Sequence, residues 1–141
     1  TGFISGAMML LSSNFLTEVG GLNDSYFFGM EDEELAWEAR RRDWKLLINP
    51  DSEAVHDGGG SAAEGSQFRY YHDTRNRLSF AVSNLSSLHF AVFAVFFTVT
   101  RLIRFMQWTL RGNQGYVKAT VLAVADQLTN AEHRLLDDFE G

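Results

Sequence analysis

The segment Leu88–Thr100 constrains this chain more than any other, being almost wholly apolar apart from His89. Such a run has to be covered by protein or by lipid, because burial of apolar surface is the main favourable term available to it. Arg101, Arg104 and Arg111 then recur at helical spacing on one face. A run of thirteen residues falls short of the ~20 that a bilayer span requires, so the pattern predicts a helix lying in the membrane interface, arginines toward anionic headgroups. The competing reading is a buried core helix. Gly112-Asn113 breaks the pattern. Val117, Val121, Val124, Leu128, Ala131 and Leu135 follow at alternating spacings of four and three, which predicts an amphipathic helix packed on a partner helix or on a second copy of itself.

Upstream the character changes. Gly2–Leu11 is an apolar run interrupted by the small residues Ser5, Gly6 and Ala7, and reads as a buried strand approached closely at those three positions. Ser12 or Ser13 caps a short helix through Val19 that Gly20-Gly21 terminates. After the aromatic cluster Tyr26, Phe27, Phe28, the acids Glu31-Asp32-Glu33-Glu34 open a second helix, with Arg40, Arg41 and Arg42 trailing as the macrodipole favours. Lys45–Ile48, stopped by Asn49-Pro50, and Glu53–His56 read as further strands. Strand, helix and strand in alternation predict an α/β fold for this part, and Gln67 onward predicts a helix leaving the sheet.

At 141 residues, 45% of them hydrophobic, the chain suffices for one modest core. Its formal charge of -6 is uneven: residues 1–82 hold 13 acids and 7 bases, residues 83–141 five of each. An acidic balance of this kind argues against a nucleic-acid partner. The absence of cysteine removes disulfide and thiolate chemistry and fits a reducing compartment. Because the chain begins at Thr1 and enters an apolar segment at once, it reads as a piece of a longer protein.

Three features carry candidate chemistry. Glu31 and Asp32 sit where free N–H groups and the positive end of the helix dipole favour ionised carboxylates, so one of them is placed to accept a proton from a substrate; acids also occur there simply as caps. His56, before Asp57-Gly58-Gly59-Gly60-Ser61, is a candidate metal ligand, and a structural histidine is the alternative. Arg75 and Arg77 match the oxygens of a diphosphate, or are surface residues. A calcium loop at Glu31–Glu34 is excluded because calcium ligands alternate along the chain around an interior glycine.

The order of these blocks carries a resemblance. Ser5-Gly6-Ala7-Met8-Met9-Leu10, Phe15, Val19-Gly20-Gly21-Leu22-Asn23-Asp24, Tyr26-Phe27-Phe28, Glu31–Trp37 with Arg40 and Trp44, Asn49-Pro50, and His56-x-x-Gly59-x-Ser61 together resemble the C-terminal half of family 2 glycosyltransferases, the rhamnosyltransferase-like members in particular. The likeness covers residues 2–82 and continues through Arg75-Asn76-Arg77-Leu78. It departs at Glu38, where many relatives have Arg, and at Asp43, where the family usually has Gly.

The resemblance implies a partial GT-A fold, an α/β arrangement, over residues 1–82 as the acceptor-side half of the catalytic domain; the apolar and basic pattern adds 83–141 as a helical, membrane-associated tail. It implies inverting transfer from a nucleoside-diphosphate sugar to a glycan or lipid-linked acceptor at the cytoplasmic face of a membrane. Asp32 would be the general base and Glu31 would orient the acceptor. Ser5, Gly6 and Ala7 would line the donor sugar, with Trp37, Arg40 and Arg75 also binding substrate. His56 would stand near a divalent metal, Mg or Mn, held mostly by an Asp-x-Asp motif upstream of anything in this chain. A second reading, of a different class, is a non-catalytic membrane-associated binding or scaffolding module, with the 117–135 helix pairing two copies.

Overall fold

A computed structural model describes residues 1–56 and 65–139, apart from the side chains of residues 136 and 137. Helices form where the caps and apolar spacing predict them: α1 (Ser13–Val19), α2 (Glu31–Arg41), α3 (Gln67–Asn84), α4 (Ser87–Leu110) and α5 (Gln114–Thr129), followed by a 3-10 turn at Leu136–Phe139. Among the described residues there is no β-strand. The expected α/β fold, and with it the partial GT-A sheet, is therefore corrected to an all-helical arrangement.

The physical reason lies in pairing. A strand persists only when its N–H and C=O groups join a ladder. The runs read as strands at 3–11, 45–48 and 53–56 form none with one another. Just before the first run, the Thr1 ammonium donates to the Leu46 carbonyl of the second at 3.3 Å, which is a contact and not a ladder. Part of their apolar surface stays open: Leu10, Leu47, Ile48 and Val55 are exposed.

The chain divides into two units, Thr1–Gly60 and Ser61–Gly141. Residue 82, where the sequence reading passes from catalytic half to tail, lies inside α3.

The first unit is built on Phe15, Leu35 and Ala39, with Met9, Leu11, Val19, Trp44 and Leu46 packed around them. The Phe15 and Trp44 rings meet at 5.4 Å. Glu18 at the end of α1 accepts from the Trp44 indole N–H at 2.9 Å and from Arg42 at 3.4 Å, which ties it to the segment closing α2. That closing turn explains a departure noted in the sequence. Trp44 N–H donates to the Ala39 carbonyl at 2.8 Å and Asp43 N–H to Arg40 at 3.2 Å, the double bond of a Schellman cap. Such a cap requires a left-handed residue, and Asp43 supplies it with φ +60°.

The second unit is organised by α3 against α5. Ser66 caps α3 through its hydroxyl, which accepts from Arg69 N–H. Tyr71, Ala119 and Ala123 are fully buried between the two helices, with Tyr70, Leu122 and Phe139 around them. The contact face of α5 is thus Ala119, Thr120, Ala123 and Asp126, whereas Val121 and Leu128 of the expected apolar seam are exposed. Small residues let the two backbones approach, and that outweighs the larger valines. The helix also ends earlier than the seam, at Asn130 in the left-handed region, so Ala131 and Leu135 lie beyond it.

A polar network closes this interface. Tyr71 donates to Asp126 at 3.0 Å, and Arg134 grips the same carboxylate with two bonds at 2.7 and 3.2 Å. Arg75 donates to the Tyr71 hydroxyl and the Glu132 carbonyl, each at 3.0 Å, and to the Ala131 carbonyl. His72, fully buried, bonds the Arg134 carbonyl at 3.0 Å. Burial first, and then the neighbouring His133 and Arg75, push its imidazole down to about 4, so it is neutral at physiological pH.

Candidate functional site

The first turn of α2 is set up by two consecutive left-handed residues, Gly29 (φ +76°) and Met30 (φ +73°). A methionine in that region is uncommon and strained, which marks the turn. Met30 is the N-cap and offers no capping side chain, so the free N–H groups of the turn are left to the four acids that follow.

Those acids do different things. Glu34 is buried and takes a hydrogen bond from the buried Tyr26; burial first, and then the adjoining Glu34 charge, raise the Tyr26 phenol far above its usual range. Asp32 is half-buried. Its Oδ1 accepts from the Glu33 N–H at 3.0 Å, serving one free donor of the helix start, and its Oδ2 accepts from the Gly6 N–H at 2.8 Å, twenty-six residues back in the chain. A Cβ built on Gly6 would lie 3.4 Å from that Oδ2, so the 5–7 loop sits in contact with the carboxylate. Ser5 turns the same loop by accepting from Ala7 N–H at 3.3 Å.

Asp32 and Glu33 are neighbouring carboxyls, each of which acts on the other's ionisation. Burial acts to raise the Asp32 carboxyl, but the hydrogen bond from Glu33 and the N–H groups of Gly6 and Glu33 outweigh it and hold Asp32 below the ordinary carboxylate range. The complementary effect falls on Glu33. Its hydrogen bond to Asp32, followed by partial burial and the Asp32 charge, pushes it up to about 7. Two carboxyls whose environments drive their proton affinities apart can divide ionised and protonated roles at neutral pH. Glu31 brings a third: its Oε2 is buried and has no hydrogen-bond partner among the described residues.

The residues picked out from the sequence are thus partly gathered. Gly6, between Ser5 and Ala7, meets Asp32, and Glu31 adjoins it on α2. Trp37 and Arg40 lie further along the same helix, Trp37 half-buried and Arg40 exposed with its guanidinium 3.8 Å from where a Gly2 Cβ would be. Arg75 belongs to the second unit, where its donors are committed to Tyr71 and two carbonyls. His56 is exposed on a segment without regular structure, and the Asp57–Ser61 portion of its motif lies outside the described residues. Among the described residues no three His, Cys, Asp or Glu side chains gather as a metal-holding group. His56 alone does not make a donor set for a divalent ion, so no step of the chemistry is drawn through one.

Two residues of the site were not singled out by sequence reasoning. Glu33 and Glu34 read as plain first-turn acids, yet the first is raised by its neighbour Asp32 and the second is the buried partner of Tyr26. The aromatic Tyr26, eight residues before Glu34, is the sequence signal that could have found the latter. Compared with known family models, curated proteins and solved structures, the chain matches none.

Proposed function

We propose that residues 1–56 carry the acceptor-side chemistry of an inverting glycosyltransferase, with Asp32 as general base. One observation supports this above the others: the Ser5-Gly6-Ala7 block and the Glu31-Asp32 block, separated in sequence and singled out independently, meet through the Gly6 N–H and Asp32 Oδ2 at 2.8 Å. The α/β layers that the resemblance implied are not part of the proposal.

In the proposed step an acceptor hydroxyl stands at Asp32. Its oxygen attacks the anomeric carbon of a nucleoside-diphosphate sugar as its proton passes to Asp32. The new glycosidic bond forms while the bond to the diphosphate breaks, and the electron pair leaves with the nucleoside diphosphate. Asp32 is kept ionised by Gly6 and Glu33, and the orphaned oxygen of Glu31 offers an acceptor for a second sugar hydroxyl.

The Glu33 proton makes a distinct signature. While Glu33 is protonated it donates to Asp32 and weakens it as a base; once it ionises, an added negative charge beside Asp32 raises its affinity for the acceptor proton. Transfer should therefore rise with pH through about 7, the value to which Glu33 is pushed. In Glu33→Gln, which is permanently neutral, that rise should disappear and the rate at pH 8 should fall by about tenfold. The check is a pH profile of sugar transfer to a lipid-linked acceptor from a panel of nucleoside-diphosphate sugars, in a protein carrying these residues behind a donor-binding half. An unchanged profile in Glu33→Gln would remove the pair from the mechanism.

A further inference from the structure

The longest helix of the chain has almost nothing on one side. Leu88, Val92, Val95, Val99, Leu102 and Met106 alternate by four and three along α4, and each is at least half exposed. At 100° per residue they form a single stripe about 27 Å long, and Phe96, Ile103 and Leu110, also exposed, widen one flank of it. The opposite side is occupied. Trp108 is buried there, edge-on to Tyr70 at 5.3 Å and 5.6 Å from Tyr116, and the Arg101 guanidinium lies over the Phe97 ring. The helix is long and apolar enough to cross a membrane by length and composition, with none of its most apolar window buried.

Charge identifies what covers the stripe. Residues 74–125 contain no Asp or Glu in a chain whose net charge is -6. Arg104, Arg111 and Lys118 in that stretch are exposed. The acids at its two ends are already engaged, Asp73 with Arg77 at 3.0 Å and Asp126 with Arg134 at 2.7 Å. A second copy docked on α4 would bring like charges together and would cover a narrow seam, leaving Phe96 and Ile103 at its edge. A bilayer with anionic headgroups accepts the whole apolar arc in its acyl region, while Arg104 and Arg111, round the helix from the stripe, stay at headgroup level.

We propose that α4 lies in the plane of an anionic membrane surface, its Leu88–Met106 stripe in the acyl region and its Trp108 side on α3 and α5. Crossing the bilayer is disfavoured because the occupied side would carry α3, with Asp73 and Arg77, and α5, with Lys118 and Asp126, into hydrocarbon. The docking is independent of sugar transfer, so either can fail without the other.

The test is flotation of the full 141-residue chain with vesicles of phosphatidylcholine alone and of phosphatidylcholine with 30% phosphatidylglycerol (about 0.1 M salt, near one Debye length of 10 Å). The chain should float with the anionic vesicles at least tenfold better than with the neutral ones. Val95→Asp with Leu102→Asp, both exposed and so compatible with an unchanged circular dichroism spectrum, should lose that partition by at least tenfold. Arg104→Glu with Arg111→Glu should lower it at least fivefold, by a route that leaves the apolar stripe intact. Because the chain has no cysteine, a polarity-sensitive fluorophore can be attached singly at Val95→Cys or Arg104→Cys. Only the first should shift to the blue on vesicles. No flotation, or flotation unaffected by both pairs of substitutions, overturns the proposal. Equal blue shifts at both positions overturn the in-plane orientation. A dimer in vesicle-free buffer that the Val95→Asp/Leu102→Asp pair dissolves, without flotation, assigns the stripe to a second copy instead.

Discussion

Asp32→Asn is expected to lower sugar transfer by about 10²–10⁴-fold, the range for removing a general base, while leaving the first unit folded. Asparagine has nearly the same shape, and its one carbonyl oxygen can accept from the Gly6 N–H, now held by the carboxylate at 2.8 Å, while the weaker bond from the Glu33 N–H at 3.0 Å is given up. What it lacks is proton affinity. The loss should appear in kcat more than in KM, because the acceptor is still seated and only the proton transfer is impaired. The comparison variant is Arg40→Ala, on the same helix and exposed, whose effect should fall mainly on KM. Near wild-type turnover in Asp32→Asn would remove Asp32 from the reaction altogether.

Arg75→Ala is expected to destabilise the second unit by about 3 kcal/mol, the lower end for uncovering a buried charged network. Arg75 is buried, and its removal leaves the Tyr71 hydroxyl short of a donor and the Ala131 and Glu132 carbonyls without their partner. These carbonyls follow the left-handed Asn130 that ends α5, so the segment leading to the final 3-10 turn should loosen as well. Urea unfolding followed by the fluorescence of Trp108, buried in the same unit, reads the loss once Trp37 and Trp44 of the first unit are replaced by Phe. Arg75 was also a candidate diphosphate ligand, and the two roles separate cleanly. A variant of unchanged stability that no longer binds a nucleoside diphosphate would assign Arg75 to substrate; a destabilised one assigns it to the α3–α5 interface.

The helices were legible because their signals are local. Ser12 stands at the N-cap of α1 without a side-chain capping bond, Gly20 closes the helix in the left-handed region, and the acids lead α2, all signals that act within a turn. The strands were misread because an apolar run such as Gly2–Leu11 states that residues could be buried in a sheet, not that a ladder is there to receive them. The span of α4 was underestimated for a related reason. Counting stopped at Arg101, whereas the helix continues through Leu102, Ile103 and Met106 to Leu110, with Arg101 turned over Phe97. On α5 the spacing pointed to the valines, and packing chose Ala119 and Ala123. Size at the contact, not periodicity, decided that face.

At the candidate site the sequence gathered Ser5, Gly6, Ala7, Glu31 and Asp32 by type and order, and the hydrogen bond from Gly6 joins the two groups. The division of labour among the four acids was not legible, since adjacent carboxylates look alike until burial and partners distinguish them. Glu33 is set apart by Asp32, Glu34 by Tyr26.

The central claim, that Asp32 and Glu33 act on each other's ionisation beside Gly6, is tested most directly by carbon-13 NMR titration of the side-chain carboxyls in the 141-residue chain, read together with the Gly6 amide proton. Glu33 should titrate near 7 and Asp32 below the ordinary carboxylate range, with the Gly6 amide shifting as the pair changes charge and losing that response in Asp32→Asn. Two independent titrations near the usual carboxylate values, with a Gly6 amide indifferent to both, would contradict it.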